Sequence, residues 1–326
     1  MRISQSEKME IIRTVEQSEA GATRTLQEFG ISKSTFYRWY KNYHAKGFDG
    51  LAPNKRQQER VWNKIPTEEK NRVVEIALDK TEMSSRELAW HITDRYKYYI
   101  SESSVYRILK ERGLITAPAY IVMSASNEFK TKTIRSNEMW QTDFTYFKII
   151  GWGWYYLSTV LDDYSRYIIC WDLCKNMGHQ DARATVDRAL TITGLHANNR
   201  PKLLSDNGPC YIAGELKEHF KKIGVKHIRG KPLHPQTQGK IERYHRSMKN
   251  VVKLENYYTP DQLRHALAQW VQRYNHHRYH ESLSNVTPAD VFFQRDKRIL
   301  KQREITKQKT IHMRRKRYLE NKVLLN

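Results

Sequence analysis

Three acidic residues, Asp143, Asp206 and Glu242, stand where a carboxylate can do chemistry, in a chain whose 57 Lys and Arg outnumber its 35 Asp and Glu. Asp143 lies inside "MWQTDFTYFKI", which alternates as a strand does, and Asp206 closes "PKLLSD", where an apolar run stops and a turn begins. Glu242 opens a helix after "KPLHPQTQG". A strand carboxylate, a strand-end carboxylate and a helix carboxylate can converge at one edge of a sheet. Gathered among so many cations, they point to Mg²⁺, because hard divalent cations prefer oxygen ligands. Two such ions about 3.5 to 4 Å apart can activate an attacking hydroxyl and neutralise the leaving oxygen at phosphorus.

The surrounding pattern predicts the elements that position these groups. In the first strand Trp140, Thr142, Phe144 and Tyr146 fall on one face, and Gln141, Asp143 and Thr145 on the other. "WYYLSTVLDDYSRYIICWDL" reads as two further strands joined by a turn at Asp162, Asp163 and Tyr164. Aspartate is expected in such a turn for backbone reasons, which is favoured here over metal ligation. A helix ("HQDARATVDRALTIT"), the strand ending at Asp206, a second helix ("AGELKEHFKKIG") and a strand ("VKHIRG") follow. The result is a mixed five-stranded sheet flanked by helices, with Asp206 at a strand's C-terminal end, where open α/β sheets tend to place ligands. In the helix from Gly239, Ile241, Tyr244, His245, Met248 and Val252 form an apolar stripe, while Glu242, Arg246, Lys249 and Lys253 form a polar one. Salt pairing of Glu242 with Arg246 one turn later explains that polar stripe without any chemistry.

The front of the chain is helical. Ile11, Ile12 and Val15 mark one helix, Leu26 and Phe29 a second, and Phe36, Trp39 and Tyr43 a third. In "FGISKST" Gly30 supplies a tight turn and Ser32 an N-cap, the arrangement of a helix-turn-helix. Its third helix would present Lys33, Ser34, Tyr37, Arg38 and Lys41 to a major groove; a plain bundle with a solvated basic face fits the same residues. A second set begins at Pro66, with a capping box at Ser84 and Glu87 and a C-cap at Gly113.

The predicted organisation, multidomain α and α/β, is a first helix-turn-helix domain over 1–46, a linker over 47–64, a second such domain over 65–115 and a linker over 116–137. The α/β core with a helical extension then covers 138–293, and a basic C-terminal arm 294–326. Residues 297–317 hold ten Lys or Arg against the single acid Glu304, usually a solvated run and here read as a DNA-binding arm that orders on its complex.

A formal net charge of +22 attracts polyanions, nucleic acid first. No run of about 18 apolar residues appears, and "MRISQSEKMEIIRTVEQ" lacks the apolar stretch of a signal peptide, so a cytoplasmic place is expected. Cys170, Cys174 and Cys210 form no C-x-x-C pair, and His276 with His280 has no third ligand nearby, so neither disulfides nor zinc are indicated.

On "WQTDFTYF", "LDDYSR", "LLSDNGPCY", "HPQTQGKIERYHRSMK" and "YNHHRYHESLSNVTPADVF", roughly residues 138 to 293, the chain resembles the DDE transposases of bacterial insertion sequences, with a retroviral-integrase-like catalytic core. The 35 residues between Asp206 and Glu242 are the D-(35)-E spacing of that family. The resemblance implies an RNase H-like core in which Asp143, Asp206 and Glu242 are catalytic and bind two Mg²⁺ ions, with Mn²⁺ able to substitute. It also implies binding of an element's terminal inverted repeats, nicking of its ends and joining of the freed 3′-hydroxyls to target DNA, by at least a dimer on double-stranded DNA in the bacterial nucleoid. Asn207 and Gly208 match the family's turn after the second aspartate, and Gln238, Gly239, Lys240 and Arg243 its motif around the glutamate. Lys240, Arg243, Arg246 and Lys249 are accordingly assigned to the DNA backbone. Two helix-turn-helix units replace the zinc module of retroviral integrases, and no leucine-rich coiled coil stands beside the first. The rival reading is a catalytically silent DNA-binding repressor or accessory protein derived from a transposase, although a core kept only for binding has no need of three carboxylates that repel one another and DNA. An RNA-cleaving relative is disfavoured, since helix-turn-helix units fit the major groove of B-form duplexes.

Overall fold

The computed structural model describes residues 5–18, 22–52, 62–115, 133–196, 199–230 and 239–323. Two compact units divide it, one formed by residues 1–64 with 317–326 and the other by residues 65–316.

In the first unit α1 (Gln5–Gln17), α2 (Ala22–Glu28) and α3 (Lys33–Lys46) close over Ile12, Val15, Leu26, Phe36 and Leu51. The turn before α3 forms as expected: Gly30 takes a φ of +65°, and the Ser32 hydroxyl accepts from the Thr35 N–H. Phe29, read from the sequence as a core position, is 47% exposed because α2 ends one residue earlier.

The second unit begins with α4 (Thr67–Asp79), α5 (Ser85–Arg95) and α6 (Glu102–Glu111), packed through Val73, Ile76, Leu88, Ile92 and Val105. The Ser84 and Glu87 capping box is present. Strands β1 (Met139–Ile149), β2 (Gly153–Asp162) and β3 (Ile168–Cys174) form an antiparallel meander. After α7 (His179–Thr193), β4 (Lys202–Ser205) pairs parallel with β1; after α8 (Pro209–Ile212) and α9 (Gly214–Lys222), β5 (Lys226–Arg229) pairs parallel with β4. The sheet order is β3-β2-β1-β4-β5.

One face of the sheet buries Trp140, Val160 and Leu203 with Val186 of α7 and Phe220 of α9. The other buries Phe147, Ile149 and Leu157 under α10 (Gly239–Val252) and α11 (Pro260–His276). All five residues of the predicted α10 stripe are buried. The described linker stretches aside, residues 53–61, 116–132 and 231–238 lie outside the described residues, and with them Gln238. Among the described residues no helix is long and apolar enough to cross a membrane.

The chain closes with α12 (Pro288–Phe292) and α13 (Asp296–Val323), a helix where the sequence suggested an arm awaiting its complex. Arg303, Thr306, Thr310 and Arg314 follow helical spacing and are buried. Arg303 grips Asp94 of α5 with two bonds, of 2.8 and 2.7 Å, and lies 4.5 Å from the Trp90 ring. Arg314 donates to the Tyr98 hydroxyl at 2.9 Å and the Tyr99 carbonyl at 2.8 Å. A polar stripe carries no hydrophobic signature, so docking of this helix on α5 and the loop after it was invisible to hydrophobic periodicity.

Between α11 and α12 the His280 ring sits 5.1 Å from Tyr274. Burial, then the charges of Arg278, Arg166, Arg86 and Arg243, push its pKa from the usual 6.5 to about 3, so it is neutral when folded. A histidine held neutral in the fold takes up its proton only on unfolding, so its contribution is present above pH 6.5 and is lost as pH falls toward 3. Between pH 7 and pH 5 this site is expected to cost the fold roughly 2 kcal/mol, and urea midpoints of His280→Asn should fall less steeply over that range than those of the parent.

Candidate active site

β4 accompanies β1 only from Met139 to Gln141, and Asp143 follows on the strand just beyond. Asp206 comes one residue after β4 ends. The two carboxylates therefore flank the point where the parallel pair separates, in the middle of β1 and just past the C-terminal end of β4. One Asp206 oxygen accepts the Gly208 N–H at 2.9 Å, and a Cβ on Gly208 would stand 2.9 Å from that same oxygen, so any larger residue there would push the carboxylate out of this position. Burial raises the Asp206 pKa above the usual carboxylate range; the Gly208 N–H opposes this and the negative charge of Asp143 adds to it. Tyr211 of α8 is buried near the site, within reach of the charges of Asp143 and Asp206, its hydroxyl 3.2 Å from that of Thr142.

α10 is fastened to the same strand by a buried polar knot. Asp163, 2% exposed, accepts from Gln141 Nε2 at 2.7 Å, from Thr133 Oγ1 at 2.6 Å and from Lys240 Nζ at 2.6 Å. Gln141, itself 1% exposed, uses its carbonyl oxygen to accept the Ile241 N–H at 3.1 Å. One amide thus satisfies a buried carboxylate and an otherwise orphaned N–H in the first turn of α10, one residue before Glu242. One turn after Glu242, His245 puts Nδ1 3.4 Å from the Asp143 carboxylate; its Nε2 is buried and has no hydrogen-bond partner among the described residues.

The structure brings Asp143 and Asp206 into electrostatic contact and leaves Glu242 exposed on the neighbouring helix turn. Among the described residues no group of three His, Cys, Asp or Glu side chains is arranged to hold a metal ion. Like charges repel, and the longer glutamate side chain can turn to water while the two aspartates are held by the backbone. The donor chemistry of Asp143 and Asp206 nevertheless fits a hard divalent cation: oxygen ligands only, with a mutual repulsion that a cation would relieve.

The other expected residues divide. Lys33, Ser34, Tyr37, Arg38 and Lys41 are all exposed along α3. Arg243 and Arg246 are exposed on α10. Lys240, expected at the DNA backbone, is paired with the buried carboxylate of Asp163 at 2.6 Å. Lys249 lies half-buried with Nζ 4.5 Å from the Tyr146 ring. Asp162 matches the turn reading, accepting from the N–H and hydroxyl of Ser165. Asp163 exceeds it, and Gln141 and His245 were missed: alternation put Gln141 on the Asp143 face, but only pairing across 22 and 100 residues reveals its partners.

Residues 134–235 and 223–288 match the integrase core domain family, 35–109 a homeodomain-like domain and 7–58 a helix-turn-helix domain. Residues 134–288 of the chain are thus similar to an integrase core, and the residues before them to helix-turn-helix domains. The mixed five-stranded sheet lies within the matched core residues. The transposase of transposon Tn552 from Staphylococcus aureus is 28% identical over 251 residues, 66% of this chain and 49% of that protein. The Gag-Pro-Pol polyprotein of squirrel monkey retrovirus is 29% identical over 116 residues, 36% of this chain and 6% of the polyprotein. The chain thus spans about half of the one relative and a small part of the other. Among solved structures the HTLV-2 integrase catalytic core domain in complex with magnesium has a TM-score of 0.40 and 21% identity, covering 49% of this chain and 99% of that one.

Two outcomes follow for the integrase core. Asp163→Ala strands Lys240 without its counter-charge and Gln141 without an acceptor, and should cost about 3 kcal/mol in urea unfolding. Asp206→Asn removes the repulsion with Asp143, so in EDTA the variant should melt at a higher temperature than the parent.

Proposed function

We propose that this chain is a DNA transposase that binds the terminal inverted repeats of an insertion sequence, nicks the element's ends and joins the 3′-hydroxyls to target DNA. The observation that carries the reading is the placement of Asp143 and Asp206 on β1 and just after β4, at the point where these parallel strands part, beside a helix start locked to β1. Asp143, Asp206 and Glu242 would hold two Mg²⁺ ions, for which Mn²⁺ can stand in. When bound, such ions neutralise charge at phosphorus and lower the pKa of an attacking hydroxyl.

The protein's own groups do the rest. The Gly208 N–H holds the Asp206 carboxylate in one orientation, and His245 steadies Asp143. Gln141, Asp163 and Lys240 hold the first turn of α10 at the strand, from which Glu242 can swing toward the aspartates. Arg243, Arg246 and Lys249 contact the phosphodiester backbone; Lys240 acts on it through the position of α10. Lys33, Ser34, Tyr37, Arg38 and Lys41 read the repeat in the major groove. Because two ends are handled together, the working form is at least a dimer on DNA.

Duplexes carrying the repeats that flank the gene, incubated with the protein in Mg²⁺ or EDTA, test this reading. Metal-dependent nicking and joining are expected, reduced at least roughly a thousandfold by Asp206→Ala while repeat binding persists. Tight repeat binding with no cleavage by the parent chain, with both ends present, would favour the silent repressor instead.

A further inference from the structure

The β1–β2 hairpin carries a set of large side chains that neither sheet face uses. Tyr146, Trp152 and Trp154 are 52%, 56% and 51% exposed, and Ile150 is 61% exposed. They are not a frayed core, because Phe147, Ile149 and Tyr155, alternating with them, are 4%, 1% and 9% exposed. Positive φ angles at Gly151 (+79°) and Gly153 (+90°) let the chain turn tightly and bring the outward positions of both strands together. An exposed apolar cluster of this kind on a soluble domain marks a contact surface.

Lysines interleave with the rings. Lys249 of α10 stands 4.5 Å from the Tyr146 ring, Tyr146 meets Trp154 edge to face at 5.4 Å, and Lys148 stands 5.8 Å from the Trp154 ring. The row lies on the part of β1 that β4 leaves unpaired after Gln141, three residues beyond Asp143 and on the opposite face of the strand, beside its open edge. Lys249, which meets the Tyr146 ring, also feels the charge of Asp143, so one end of the row lies within electrostatic reach of that carboxylate.

This mixture selects its occupant. The centre of a contact between protein copies is depleted in lysine, whereas a nucleic-acid strand needs cations for its phosphates and flat apolar rings for its bases. In a continuous duplex the base faces are stacked on one another and cannot reach such rings. We propose that the outward face of the β1–β2 hairpin, formed by Tyr146, Trp152 and Trp154 with Lys148 and Lys249, is a platform on which unpaired bases of a DNA strand stack as that strand leads to Asp143. The direction toward Asp143 rests on the proposed function; the stacking itself does not.

Binding by the full-length chain, measured in EDTA, separates the two. The probes are a forked duplex with a 2-aminopurine in its unpaired arm and a fully paired duplex of the same sequence. Trp154→Ala and Tyr146→Ala are each expected to weaken binding of the forked probe about tenfold and to relieve 2-aminopurine quenching, with the paired duplex bound as by the parent. Lys148→Gln is expected to reduce the slope of log affinity against log salt by roughly 0.7. Unchanged melting temperatures establish that these exposed positions do not act through the fold. Equal affinity of parent and variants for the forked probe overturns the platform, as does an equal loss on both probes. A change in self-association by sedimentation with no change in DNA affinity also overturns it, making the face a contact between copies. Failure of the parent to cleave in Mg²⁺, with the stacking differences intact, would count against the proposed function and not against the platform.

Discussion

A buried carboxylate has to be satisfied where it lies, and Asp163 is matched by a lysine from another element. Its second oxygen receives the Gln141 amide, and the other end of that amide receives a backbone N–H of α10. A turn between strands, the strand bearing Asp143 and the helix bearing Glu242 are thereby joined through two side chains that are almost wholly buried. Unlike apolar packing, which tolerates sliding, this knot has one geometry in which every donor and acceptor is satisfied. It fixes the start of α10, and the apolar stripe behind it fixes the tilt.

The same accounting explains why a chain so rich in cations keeps acids where it does. Asp206 is raised in pKa by burial and by Asp143, so the fold bears an electrostatic cost at this point. Such a cost persists where the local structure overdetermines it, here through the Gly208 N–H and the strand end. Other acids have cation partners: Asp94 has Arg303, and Asp172 has both Arg188 and Arg264.

The basic C-terminal run shows how charge counting can mislead. Arg303 and Arg314 are buried, and their guanidinium groups meet the Asp94 carboxylate, the Tyr98 hydroxyl and the Tyr99 carbonyl of the second helical module, and the Ser284 and Asn285 carbonyls before α12. Arginine suits this role because its planar fork satisfies several acceptors at once and its face stacks on Trp90. Exposed cations such as Lys297, Arg298, Lys301 and Lys309 remain on the same helix for a polyanion.

The sequence by itself determined the elements and their order: period-two alternation in β1, the 3.6-residue stripe of α10, the caps at Ser32 and Ser84 and the turn glycines are local, and local geometry follows from neighbouring residues. It also placed Asp143 inside β1 and Asp206 at the end of β4, one residue past which it is found. Only the tertiary structure decided that Lys240 belongs to Asp163, that His245 leans on Asp143, that Glu242 faces water and that a run of lysines and arginines is a docked helix. Each of these is a polar contact between residues far apart in the chain. Periodicity records which side of an element avoids water, whereas the partner of a buried charge is chosen by three-dimensional closure.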